Sequence, residues 1–189
     1  MRKILCLTLA MLFLIGSKCQ TLHTSVTSSQ FSENINKVVC DFKNNFYNIQ
    51  GDPLPGEPHM DVFRSSVSVP GAIQTYIYRF HSKEDTSPAW QAVMFQGESY
   101  SEAIKFYKNT SRLLNKARVT LSGNSPIGFS GKLNEPDPNI PFAGSSFKLN
   151  TDDPAYVKFY AEIEILNTGF DSWEVRLNLH NKKEDSEKE

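Results

Sequence analysis

Four side chains able to hold a metal or move a proton crowd one short region. Glu57, His59 and Asp61 lie in "GEPHMD", and His81 closes the second apolar run that follows. Imidazole and carboxylate are ordinary zinc ligands and ordinary acid–base groups. Antiparallel pairing of the runs at 61–69 and 72–80 would bring all four to one hairpin end. A small envelope hydrolase using His59, His81 and the nearby carboxylates is therefore one reading. The spacing, however, matches no metal-binding pattern. Alternation also sets His59 and Asp61 against Met60, and a tight register places Met60 across from His81, which would turn His81 away from the other two. Surface histidines are the simpler expectation, so no metal ligand and no cofactor is assigned.

Other chemistry is sparse. The chain has no G-x-S-x-G, H-E-x-x-H, C-x-x-C, Walker or EF-hand pattern, and no catalytic residue is assigned. Cys40 stands about 140° from the centre of its helix's apolar face, at ~100° per residue. A thiol becomes a nucleophile beside a cation or a base, and the sequence places neither there, so Cys40 reads as structural or incidental. Asp52, Glu57, Asp137, Asp152 and Asp153 sit in Pro-rich loops, where scattered acids supply turns and solubility. The ambiguous group is aromatic: Phe63, Tyr76, Tyr78 and Phe80. These four can be a ligand-facing platform for a sugar or peptide, or the floor of the core with hydroxyls at its rim.

The elements that must position these residues begin with an export signal. Met1-Arg2-Lys3 is basic, and "ILCLTLAMLFLIG" is apolar apart from Thr8. This run fits a secretory signal and falls short of the ~20 residues needed to span a bilayer. Cys19 follows it as in bacterial lipoprotein signals, but Lys18 replaces the small residue those signals want. Cleavage after Cys19 without lipid is expected, with Ser17 and Cys19 at the positions that need small side chains. Residues 1–19 are then signal peptide, and no stable membrane insertion follows its removal. Loss of Arg2, Lys3 and Lys18 takes the formal charge from −1 to −4. That balance argues against nucleic acid as a partner. Only Cys40 of the three cysteines survives cleavage, so the core rather than a disulfide must hold the fold. The expected location is periplasmic or secreted, in a bacterium.

Residues 20–30 form a polar linker. Phe31, Ile35, Val38, Phe42, Phe46 and Ile49 recur at helical spacing, which predicts a helix over 31–49. "GDPLPGEP" then breaks it. Strands follow at 61–69, 72–80 and 89–97. A two-residue turn at Pro70-Gly71 would pair Phe63 with Tyr78 and Ser65 with Tyr76, although Pro-Gly suits a type II turn, which splays strands. A second helix covers 99–117, with Ser99 and Glu102 at capping-box spacing. Short strands are expected near "GFSGKL" and "SSFKLN". Last, "AYVKFYAEIEIL" and "SWEVRLNLH" alternate, so any even-sum pairing buries Val157, Phe159, Ala161, Ile163 and Ile165 with Trp173, Val175, Leu177 and Leu179. Residues 182–189 are a charged tail.

The fold expected for 31–181 is one α+β domain. It has an antiparallel sheet of about five or more strands, two helices on one face, and the order α-βββ-α-(short β)-ββ. The function expected is a non-catalytic binding or envelope-structural role. The partner would be a protein or a small apolar or saccharide ligand. A carrier that holds an apolar ligand between sheet and helices is a further alternative.

Overall fold

The computed structural model describes residues 28–81, 87–121, 123, 125–169 and 172–181. Helix α1 spans Ser28–Asp41, followed by strands β1 (Gln50–Glu57), β2 (Met60–Ser65), β3 (Gln74–Phe80) and β4 (Pro88–Gly97). Helix α2 (Tyr100–Lys116) comes next, then β5 (Phe129–Gly131), β6 (Phe142–Leu149), β7 (Phe159–Gly169) and β8 (Ser172–Asn181). The strands make one antiparallel eight-stranded sheet in the order β1-β2-β3-β4-β8-β7-β6-β5. Both helices pack on it from one side, so the expected α+β class and layering hold. The expected signal peptide, most of the linker and the charged tail lie outside the described residues. No helix among the described residues is long and apolar enough to cross a membrane.

The first helix starts earlier and stops earlier than its apolar spacing predicts. Ser28–Gln30, read above as linker, form its first turn, and Phe31, Ile35, Val38 and Val39 are buried. Asp41 ends it. This buried carboxylate accepts from the Asn48 backbone N–H at 3.0 Å, the Ile49 N–H at 3.2 Å and the Asn44 side chain at 3.0 Å. The chain turns through Asn45 and Phe46, whose φ values are 52° and 59°. Phe42, Phe46 and Ile49 stay buried although the helix that would have aligned them has ended. Phe42 packs edge-on to Phe159 at 4.7 Å.

The region expected to be a breaking loop is instead edge strand β1. Its register against β2 shifts twice, around Pro53 and Leu54, as expected of a strand whose prolines lack ladder donors. The second helix matches its sequence signals: Ser99 Oγ caps it by accepting from the Glu102 N–H at 3.2 Å. Its inner stripe of Ala103, Tyr107, Leu114 and Ala117 is buried. The β7–β8 pairing has the expected parity, with Ile163 opposite Leu177. Trp173 is 8 % exposed and lies 4.7 Å from the Tyr100 ring. Val157, expected to join that buried set, is exposed because β7 begins only at Phe159.

The β2–β3 register differs from the tight-turn expectation. Pro70-Gly71 does form the turn its chemistry suggests: Gly71 has a φ of 88°, and the Ala72 N–H bonds the Val69 carbonyl at 3.1 Å. That turn sits inside a wider connection over 66–73. The connection is tied down at both ends, by Ser66 N–H to the Ile49 carbonyl and by Ile73 N–H to the Val93 carbonyl. Val62 therefore faces Tyr78, and Phe63 faces Ile77. The one-residue slip turns β3 over relative to β2. Ile77 becomes fully buried core, and Phe63 packs on the helix side with it. Tyr76, Tyr78 and Phe80 turn to the other face. The four aromatic residues thus do not share a face.

Candidate binding cleft on the open sheet face

Alternation along each strand decides what the uncovered face presents. Reading across the sheet, Arg64 lies beside Tyr76, then Gln91, Asn178, Glu162 and Ser146. The adjacent row runs Gln74, Val93, Arg176, Glu164 and Gly144. A cleft of about 530 Å³ opens on this face. Leu54 and Pro55 of β1 wall one side, Tyr76 and Tyr78 line the middle, and Glu174 and Arg176 close the other side. Phe80 shares the face at the strand end, opposite Met60.

The polar side chains here hold one another in place. Tyr78 donates its hydroxyl hydrogen to Gln91 Oε1 at 3.1 Å, and Gln91 Nε2 donates to Asn178 Oδ1 at 2.8 Å. Gln96 Nε2 donates to Glu174 Oε2 at 2.8 Å, while Arg176 Nε donates to Glu174 Oε1. Burial raises the pKa of the Tyr78 hydroxyl, with the Arg176 charge opposing. Burial likewise raises that of the Glu164 carboxyl, which a hydrogen bond with Asn178 partly offsets. A concavity that combines apolar and aromatic surface, here Leu54, Pro55, Met60, Tyr76 and Tyr78, with a few fixed polar groups has the elements of a ligand site.

Beside the cleft, His180 Nε2 sits 3.0 Å from Glu162 Oε2, and Ser146 donates to Glu162 Oε1 at 2.6 Å. The order is hydroxyl, carboxylate, imidazole. A nucleophilic serine needs the imidazole in the middle to take its proton. Here the hydroxyl spends its hydrogen on the carboxylate, so the arrangement positions charge and does not activate Ser146.

The same register slip corrects the expectation about the hairpin histidines. His59 lies opposite His81, whose N–H donates to the His59 carbonyl at 2.8 Å. His81 Nε2 then meets Asp61 Oδ2 at 2.7 Å, with both side chains more than half exposed. Glu57 pairs with Met60 at the β1–β2 turn and is exposed. No group of three or more His, Cys, Asp or Glu poised to hold a metal ion occurs among the described residues. Cys40 is an exposed residue whose Sγ lies 3.5 Å from the Thr120 carbonyl, and partial burial pushes its thiol pKa up against the pull of Lys43. Of the loop acids, Asp153 is held low by its hydrogen bond to Lys43, and it caps the Pro154–Tyr156 turn through the Ala155 N–H.

Sequence reasoning found Tyr76 and Tyr78 and passed over Arg64, Gln91 and Gln96. Each of these alternates with an apolar neighbour, which was the available signal. Comparison with protein-family models, with curated proteins and with solved structures returns no match for this chain.

Proposed function

We propose that this protein is an exported binding module that takes its ligand on the open face of the sheet and performs no covalent chemistry. The observation that carries the reading is the cleft: tyrosine rings beside amides and guanidinium groups, on a face the helices leave uncovered. Cross-strand hydrogen bonds fix Gln91, Asn178 and Gln96 on this face, and Glu174 is nearly removed from solvent. The space between sheet and helices, where the carrier alternative would place a ligand, holds packed residues such as Phe31, Trp90, Tyr107 and Phe159. Export is supported by the N-terminal apolar run and its basic start.

The test is amide mapping by NMR of the purified protein with a fragment set of sugars, amino acids and small acids. Shifts should gather on Arg64, Tyr76, Gln91 and Arg176. Shifts confined to the helices, or none at any site, would overturn the open-face reading.

A further inference from the structure

The Glu174–Arg176 pair is built to aim a guanidinium. Glu174 is 5 % exposed, and both its oxygens are occupied, by Gln96 and by Arg176 Nε. A guanidinium presents five N–H donors in a rigid fork. Gripping it through Nε fixes its plane and leaves the two terminal amino groups for something else. Among the described residues no hydrogen bond claims them, and the side chain of Arg176 keeps 32 % of its surface in the cleft. Arg64 enters the same cleft from β2, is exposed, and has no ion pair or hydrogen bond among the described residues.

Three strand steps separate β2 from β8, about 14 Å at the backbone. Two arginine side chains can reach across that gap to one group lying over Tyr76 and Gln91. Two carboxylates stand near Arg176: Glu174, which grips its Nε, and Glu164, its cross-strand neighbour, which acts on it through charge. Arg64 has no such partner among the described residues, and Glu57 lines only the far rim, some four residues or ~13 Å along the strand.

Resting on the open-face reading, we propose that the cleft binds a ring-bearing organic carboxylate, its carboxylate held between Arg176 and Arg64 and its ring laid against Tyr76. Bidentate guanidinium–carboxylate contact supplies affinity and orientation. The tyrosine ring supplies apolar area. Two kinds of molecule share that chemistry, a uronic-acid sugar and an aromatic carboxylic acid.

Calorimetry with galacturonic acid and phenylacetic acid, beside the neutral galactose and 2-phenylethanol, tests it. At least one acid should bind about tenfold or more tighter than its neutral counterpart, and weaken as salt rises. Whichever acid prevails identifies the source. Arg64→Gln, an exposed change that leaves the core alone, should weaken binding about tenfold. Arg176→Gln should do the same, with its melting temperature measured because Glu174 then loses its cation. Equal binding of acid and neutral analogue, or full affinity in Arg64→Gln, overturns the proposal. So does failure of both acids to bind. If other fragments still shift the cleft amides in that last case, the carboxylate assignment alone falls. If no fragment shifts them, the open-face reading falls with it.

Discussion

His180 and Glu162 face each other across β7 and β8 at 3.0 Å, and the second ring nitrogen of His180 lies 2.8 Å from the Asn181 carbonyl. A carbonyl only accepts, so Nδ1 carries a hydrogen, and a carboxylate waits for a second one at Nε2. Burial works to lower the pKa of this imidazole. The Glu162 hydrogen bond and the Asn181 carbonyl outweigh it, and the net shift is upward.

A raised folded pKa stabilises the protein at low pH. The contribution is complete below the unfolded histidine value of ~6.5 and fades as pH climbs through the folded one. The NMR titration of the His180 ring should therefore have its midpoint above ~6.5, and His180→Gln should flatten the loss of melting temperature on the alkaline side of that value. A midpoint below it would mean that burial wins and the pair is neutral.

Trp90 is fully buried and donates its indole N–H to Ser65 Oγ at 3.0 Å. It sits opposite Ile77 on one side and Leu179 on the other, in the middle of the sheet. Trp90→Ala should lower unfolding free energy by about 3–5 kcal/mol in chemical denaturation. Ser65→Ala keeps the ring in place but removes its acceptor, together with the two bonds that Ser65 Oγ makes to the Val67 backbone, and should lower it by about 1–3 kcal/mol, chiefly the penalty of an orphaned buried donor.

Asp41 closes α1 and orders the turn that returns the chain to β1. Asp41→Ala strands the Asn48 and Ile49 backbone donors and should lower stability by about 2–3 kcal/mol. Asp41→Asn keeps an acceptor and should lose less. Hydrogen exchange should show the damage first in the amides of residues 45–49.

Cys40 should be a slow nucleophile. Its thiol is held above its ordinary pKa by burial, the nearby Asp41 adds to that, and Lys43 only partly compensates. Iodoacetamide at neutral pH should modify it more slowly than a free cysteine. Cys40→Ser should change stability by about 1 kcal/mol or less and leave ligand-induced amide shifts in place. Loss of those shifts in a folded Cys40→Ser protein would bring the thiol into the site.

Legibility in the sequence followed how locally each feature was decided. The β7–β8 hairpin was readable because alternation alone fixes its parity, and the irregularity between Asn167 and Gly169 comes only at its end, beyond the paired apolar residues. The cap of α2 was readable because Ser99 and Glu102 are neighbours along the chain. By contrast, the faces of β2 and β3 depended on how far the 66–73 connection spreads. Its anchors, the carbonyls of Ile49 and Val93, are remote in sequence. Pro70-Gly71 gave the right turn and the wrong register, and that slip set Tyr76 and Tyr78 in the cleft, on the face opposite Phe63. Strand β1 was hidden by its own prolines. The Arg176–Glu174 clasp was hidden because its other holder, Gln96, comes from a strand far away in the chain.

The outer strands of the sheet have one more effect. A sheet that is not closed into a barrel offers its margins to other chains, and a long regular margin invites fibre growth. At one margin β1 carries Pro53 and Pro55, which bring no N–H, and its pairing is broken by two irregularities. At the other margin β5 is only Phe129–Gly131, too short to seat an incoming strand firmly. Copies of this chain therefore find poor templates at both margins for lengthening the sheet sideways.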